Sequence, residues 1–450
     1  MTSRLFSFAC AAFFLAALTL GGASRHEVIT ADIVAVAGLP LLAWAIWRMR
    51  LRSPERSERF PFLILAGCFL VGLVQLIPLP PALWTALPGR AILAADLIAA
   101  GVQPGWAPIS LTPYATWGAL LSLVPAAALF LATRTLDGRG RHLLILVGLV
   151  VGVLSAVVGG LQVAGGPESP LRFYAVTNPN PAVGFFANRN HLASLLVCLV
   201  PFAAIQIIES LGRRPVAGVK LALMLGIVGL AIVGAAMTQS RAAILLLALA
   251  IPGSLALAWR AGLVRDHRRI AIGLVVLGLA GAAALSPLAF AGALDRFDGG
   301  VSGDLRFKAA KVTAGAIVTY APVGSGLGTF VPAYMAAEPP SSLESTYINH
   351  AHNDWLEVLL EGGLPALAVL VAFLIWYGRA ALRAWRPGRN SGGPMARAAS
   401  LVIALLLVHS LVDYPLRTPA MMCVFAFACG LMISPRPKDD AVEASPDRAA

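Results

Sequence analysis

Apolar stretches of about 20 residues recur along almost the whole chain and limit its possible folds more than any other feature. They fall near 5–24, 27–47, 60–79, 114–133, 142–164, 191–209, 218–237, 242–259, 270–290, 364–384, 398–413 and 417–433. A helix of that length crosses the hydrocarbon core of a bilayer and satisfies its own backbone hydrogen bonds there. Of the 450 residues, 58% are hydrophobic and only 12% charged, with a mean hydropathy of +0.80. Soluble domains carry roughly twice that charged share, so a soluble enzyme is excluded. The expectation is an all-α polytopic membrane protein with about 12 transmembrane helices.

The formal charge of +12 is mostly a topology signal and not the footprint of a nucleic-acid partner. Of the 34 Lys and Arg residues, 24 lie at Arg4, in the tail or in loops after even-numbered spans, such as Arg48, Arg134, Arg213, Arg265 and Arg383. The positive-inside rule puts those in the cytoplasm together with both termini. The first apolar run could instead be a signal peptide ending near Ser24, although the charge alternation works best if this helix stays. The other ten cations have no topological reason to be where they are: Arg25, Arg90, Arg172, Arg189, Arg241, Arg296, Arg306, Lys308, Lys311 and Arg417. All five cysteines (Cys10, Cys68, Cys198, Cys423, Cys429) sit in apolar runs and read as packing residues.

One transmembrane domain is expected over 1–433, with a large periplasmic loop at about 291–363 carrying short helices. The Pro- and Asp-containing tail 434–450 is expected to be disordered in the cytoplasm. A shorter Pro- and Trp-rich loop, 80–113, holds an apolar patch at 91–100 suited to the membrane interface.

Within the long loop, 302–320 reads as an amphipathic helix, with Leu305, Ala309, Val312 and Ala316 in a stripe and Arg306, Lys308 and Lys311 near its start. Further on, Asp354, Glu357 and Glu361 share one helical face, opposite Trp355, Leu356 and Leu359. This is expected to be a short interfacial helix, turned into the next span by Gly362-Gly363-Leu364-Pro365. His350 and His352 then lie at the membrane surface, and His350, on chain without an anchor, should be the freer of the two. A lone histidine there would be an ordinary solvated loop residue; a pair beside unexplained cations points to chemistry.

Ser240-Arg241 joins two spans almost without a loop. Its guanidinium either snorkels to the surface or forks onto an anion. Arg189, flanked by Asn188, Asn190 and His191, poses the same choice. His409 and Asp413, one helical turn apart, fit a structural hydrogen bond. Gly324-Ser325-Gly326-Leu327-Gly328 follows no soluble strand and lacks the lysine of a phosphate loop, so it reads as a flexible turn. Neither His-Glu-x-x-His nor Asp-x-Asp occurs, so neither a metal nor a cofactor is expected.

Four pieces resemble the O-antigen ligase superfamily, which also contains O-antigen polymerases and protein O-oligosaccharyltransferases. They are Gly184-Phe-Phe-Ala-Asn-Arg-Asn-His-Leu-Ala193, Thr238-Gln-Ser-Arg241, Pro322-Val-Gly-Ser-Gly-Leu-Gly-Thr-Phe330, and His352-Asn353 leading to Gly363. Arg241-Ala-Ala-Ile-Leu245 also fits, and His409-Ser-Leu-Val-Asp-Tyr-Pro415 is similar to a run found across the superfamily; in the piece from His352 to Gly363 and beyond, Ala366 stands where ligases have Gly, Thr or Tyr. The resemblance implies a multi-span, GT-C-like, inverting and metal-independent glycosyltransferase of the bacterial inner membrane. It would take a glycan from undecaprenyl diphosphate and join it to a hydroxyl of lipid A–core, or of another glycan or protein. With it, His352 is assigned as base or acceptor-orienting group, Arg241 and Arg306 to the diphosphate, and Arg189 as a supporting cation; Asn353, Asn190, His191, His350, His409 and Asp413 are candidate supporting residues. The competing class is a secondary transporter or flippase, which would normally show two related halves and a midplane site; the halves here differ.

Overall fold

Apolar sequence with no free polar face must form helices that cover one another or meet lipid, and the chain does this. The computed structural model describes residues 2–25, 28–50, 56–211, 217–262, 301–340, 343, 348–387 and 393–433. The expected span at 270–290, the loop start with Arg296 and the tail 434–450 lie outside the described residues. The chain opens with α1 (Thr2–Leu20), α2 (Ile29–Arg50) and α3 (Arg56–Gln75). A small segment follows, with α4 (Pro81–Trp84), α5 (Ala91–Ala99) and a two-residue antiparallel pairing of Pro78 with Pro108 and Leu79 with Ala107. Next come α6 (Pro113–Thr135), α7 (Gly138–Ala164), α8 (Arg189–Leu211), α9 (Ala217–Met237) and α10 (Arg241–Arg260). The last part holds α11 (Val301–Tyr320), α12 (Phe330–Ala337), α13 (Asp354–Trp385), α14 (Pro394–His409) and α15 (Pro419–Met432).

Every expected span within the described residues is a helix. Seven (α1, α2, α6, α7, α8, α10 and α13) are long and apolar enough to cross a membrane, while α3, α9, α14 and α15 hold shorter apolar helices. Helix starts are encoded locally. Asp137 caps α7 by accepting from the Gly140 amide at 2.7 Å, and proline opens α6, α14 and α15. The central helix is α8, with 83% of its apolar window buried against α7, α9, α10 and α14. Small residues bring neighbours close: Gly38 meets Pro125, Gly234 meets Ala156 and Gly430 meets Thr133. Phe6, Cys10, Phe14 and Leu18 of α1 are buried in the main core, and Cys198, Cys423 and Cys429 are buried free thiols within it.

A second, smaller core lies beside the bundle. Ala309, Ala316 and Tyr320 of α11 meet Phe330, Ala333 and Tyr334 of α12 and Leu360 of α13. The amphipathic helix expected at 302–320 is therefore α11, its small residues inward and Arg306, Phe307 and Lys308 exposed. The apolar patch at 91–100 is α5, with Ile92 and Ile98 exposed.

The expected turn into the span at Gly362-Gly363 is a kink inside α13, where Gly363 has φ 59° and ψ −151°. A Cβ on Gly363 would overlap the Pro322 carbonyl, and one on Gly324 (φ 80°) would overlap that of Glu361. The glycine run is thus a fixed brace and not the flexible turn expected from its sequence. Gln75, ending α3, donates to the Glu361 carbonyl at 2.8 Å and accepts from the Leu327 amide at 2.9 Å. Arg90 donates to the Gly324 carbonyl at 3.0 Å and to the Ile109 carbonyl.

Candidate active site

The kink and its brace fix the first two turns of α13, and the residues before them carry the histidines. Asn353 caps α13 by accepting from the amides of Trp355 (3.0 Å) and Leu356 (3.1 Å), while its side-chain amide donates to the Leu411 carbonyl at 2.9 Å. His352 precedes it with φ 53°; Gln239 is the other non-glycine residue with positive φ among those described. Backbone strain of this kind gathers at functional sites, and Gln239 lies two residues before Arg241. His352 Nδ1 is 3.1 Å from the His350 carbonyl, which can only accept. The ring therefore carries its proton on Nδ1 and keeps the Nε2 lone pair available. Burial lowers its pKa from the ordinary 6.5; Asp413 opposes this and Arg306 adds to it.

His350 is not the freer residue that its sequence position suggested. Its ring is buried, with Nδ1 2.7 Å from Glu357 Oε1 and Nε2 3.1 Å from the Ser24 carbonyl. Its anchors lie seven residues ahead and at the far end of the chain, beyond the reach of local pattern.

The acidic face of α13 also departs from expectation. Asp354, Glu357 and Glu361 do not line a solvated interface; they are buried around Arg417, which precedes α15. Arg417 Nε stands 3.4 Å from both Asp354 Oδ1 and Glu357 Oε1, and a terminal nitrogen reaches Glu361 Oε2 at 2.9 Å. Burial disfavours the guanidinium charge, but the three carboxylates outweigh it and raise its pKa. Their spacing, one stripe on an otherwise apolar helix, was a legible request for a cation. Arg417 is thus a structural cation, as are Arg90 and Arg172; Arg172 donates to the carbonyls of Asn178 (2.7 Å) and Pro181 (3.2 Å).

A second cluster surrounds Asp413. Asn190 donates to its Oδ2, and an Arg306 terminal nitrogen lies 3.5 Å from the same oxygen while another donates to the Val412 carbonyl at 3.4 Å. His191 Nε2 and His409 Nε2 each stand 3.9 Å from the carboxylate, outside hydrogen-bond range. The His409–Asp413 bond expected from sequence is therefore not made; His409 Nδ1 pairs instead with the Ser194 hydroxyl. Burial would raise the Asp413 carboxyl, but His409, His191, Arg306 and His352 outweigh it and hold it low. Tyr414, not singled out in the sequence, packs against His350, His352 and His191 with ring centroids 4.5, 5.0 and 5.2 Å away. Burial pushes its hydroxyl up to about 12, so it stays neutral.

The fold therefore gathers His352, His350, Arg306, Asp413, Asn190, His191 and His409 into one polar site. Arg189 opens α8 one residue before Asn190, its amide bonded to Asn178 Oδ1 at 2.9 Å. Arg241 opens α10 at the same end of the bundle, capped by Ser240, where the Met237 carbonyl accepts from Ala182. Residues 226–371 match the family model described as O-antigen ligase.

Over that third of the chain the match agrees with the resemblance to the O-antigen ligase superfamily.

The matched stretch contains Arg241, Arg306, the glycine brace, His352 and the kink, and ends before Asp413 and Arg417. No curated protein matches the chain. The match to the O-antigen ligase family supports a membrane enzyme of the O-antigen ligase or polymerase type.

Proposed function

We propose that the protein transfers a glycan from undecaprenyl diphosphate to an acceptor hydroxyl at the periplasmic face of the inner membrane, most simply O-antigen onto lipid A–core. The reading of His352 is carried by one observation: its Nδ1 proton is committed to the His350 carbonyl, leaving Nε2 as a base beside Arg306 and Asp413. The acceptor oxygen attacks the anomeric carbon, its proton passes to Nε2, and the bond to the diphosphate oxygen breaks. A single displacement of this kind inverts the anomeric centre. Negative charge grows on the leaving diphosphate, so preplaced guanidiniums stabilise the transition state more than the ground state. Arg241 and Arg306 take that role, with Arg189 in support. The charge asymmetry of the loops supports a periplasmic site with both termini in the cytoplasm. His352-Asn353 followed by Gly363 favours ligation over polymerisation or protein glycosylation.

No metal is assigned a role, because the sequence offers no metal-binding pattern. The arginine assignment is tested by substitution. Arg241→Ala should lose most turnover at normal membrane abundance, whereas Arg241→Lys, which keeps charge but loses the fork, should retain part of it. Full activity of a normally folded Arg241→Ala would make Arg241 a snorkelling anchor only.

A further inference from the structure

The acid–base step uses His352, yet the most firmly held group of the turn is His350. Both of its ring nitrogens face groups that only accept: Glu357 Oε1 at 2.7 Å and the Ser24 carbonyl at 3.1 Å. Both nitrogens must then donate, which makes the ring an imidazolium. The other oxygen of the same carboxylate accepts from the Ala351 amide at 2.8 Å. One carboxylate thus holds a ring and a peptide of the turn that ends in His352, and the His350 carbonyl fixes the His352 tautomer. Arg417 braces Glu357 from the side of α15, 3.4 Å from Oε1.

We propose that Glu357 and protonated His350 form a positioning ion pair that sets the backbone and tautomer of His352, a role that rests on reading His352 as the base. The charged and titratable groups facing His350 are Glu357 and Arg417, with Tyr414 and His352 against or beside its ring and His191 of α8 close enough to feel its charge. Asp354 and Glu361 share the Arg417 charge. Burial disfavours the His350 cation, but Glu357 outweighs it and raises the pKa above 6.5, whereas that of His352 is lowered. Two histidines in one turn thus titrate in opposite directions, a pattern that separates acid–base roles. Between them lies a window in which His352 is neutral and His350 charged.

Activity is therefore expected to rise with pH as His352 loses its proton below 6.5 and to fall as His350 loses its own above 6.5. A histidine whose folded pKa is raised contributes fully below its unfolded pKa, and that contribution is lost as pH rises through the folded value.

Glu357→Gln tests the pair, because the amide can still accept from Ala351 and donate to a neutral His350. We expect kcat to fall about ten- to a hundredfold with donor KM unchanged. The alkaline limb should disappear while the acid limb remains. An unchanged kcat and pH profile at normal abundance would overturn the proposal. If Glu357→Gln does not accumulate, His350→Gln keeps the Glu357–Arg417 pairing and should show the same loss of the alkaline limb; retention of that limb would equally overturn it. His352→Ala assayed alongside separates the two claims. Full turnover there sinks the base reading, whereas an inactive His352→Ala with wild-type Glu357→Gln and His350→Gln sinks only the ion pair.

Discussion

Replacing His352 with Ala is expected to abolish glycan transfer while the protein stays in the membrane at wild-type abundance. General-base work contributes about a hundred- to ten-thousandfold in rate, or about 3–5 kcal/mol of barrier. The structure refines this experiment, because His352 has φ 53° and Ala is poorly suited to that region. His352→Asn is the better partner variant, since Asn tolerates the left-handed conformation and lacks the imidazole. Both variants should be inactive in a transfer assay on equal amounts of folded protein. Wild-type turnover from His352→Asn would move the catalytic assignment to another group of the site, such as His191 or Asp413.

The second large effect is on folding. Arg417→Ala leaves Asp354, Glu357 and Glu361 together in a buried position without their shared cation. Stranding a buried charge commonly costs about 3–5 kcal/mol, against a total stability of roughly 5–15 kcal/mol for a folded domain. The expected result is a strong loss of membrane abundance and of Tm in detergent, with Arg417→Lys intermediate because a single ammonium cannot reach three carboxylates in the same geometry. Wild-type accumulation and melting of Arg417→Ala would show that the acidic face is solvated after all.

Much of the architecture was legible because a bilayer leaves an apolar run few alternatives to a helix. The kink in α13 was legible too, since paired glycines and a proline interrupt an apolar stretch. The site was legible in its members more than in its connections. His352, Arg306 and Asp413 were named from sequence, but the closeness of Arg306 to Asp413 depends on packing between elements about a hundred residues apart. The acidic stripe was visible as a periodicity and misjudged as a wet face, because its partner Arg417 lies beyond the next helix. His350 was misjudged for the same physical reason: one of its anchors is the carbonyl of Ser24, just after α1. Charge alone could not show which of the ten outer-face cations hold loops together. That required knowing that Arg90 and Arg172 are already bonded to carbonyls.

Glycan ligation can be measured with purified protein, a lipid-linked glycan as donor and lipid A–core as acceptor, in EDTA and without any ion gradient. The expected products are glycosylated lipid A–core and released undecaprenyl diphosphate. Lengthening of the glycan on its own lipid would make the enzyme a polymerase. No transfer at all without a gradient, or transfer only after one divalent metal is restored, would rule out a gradient-free, metal-independent transferase.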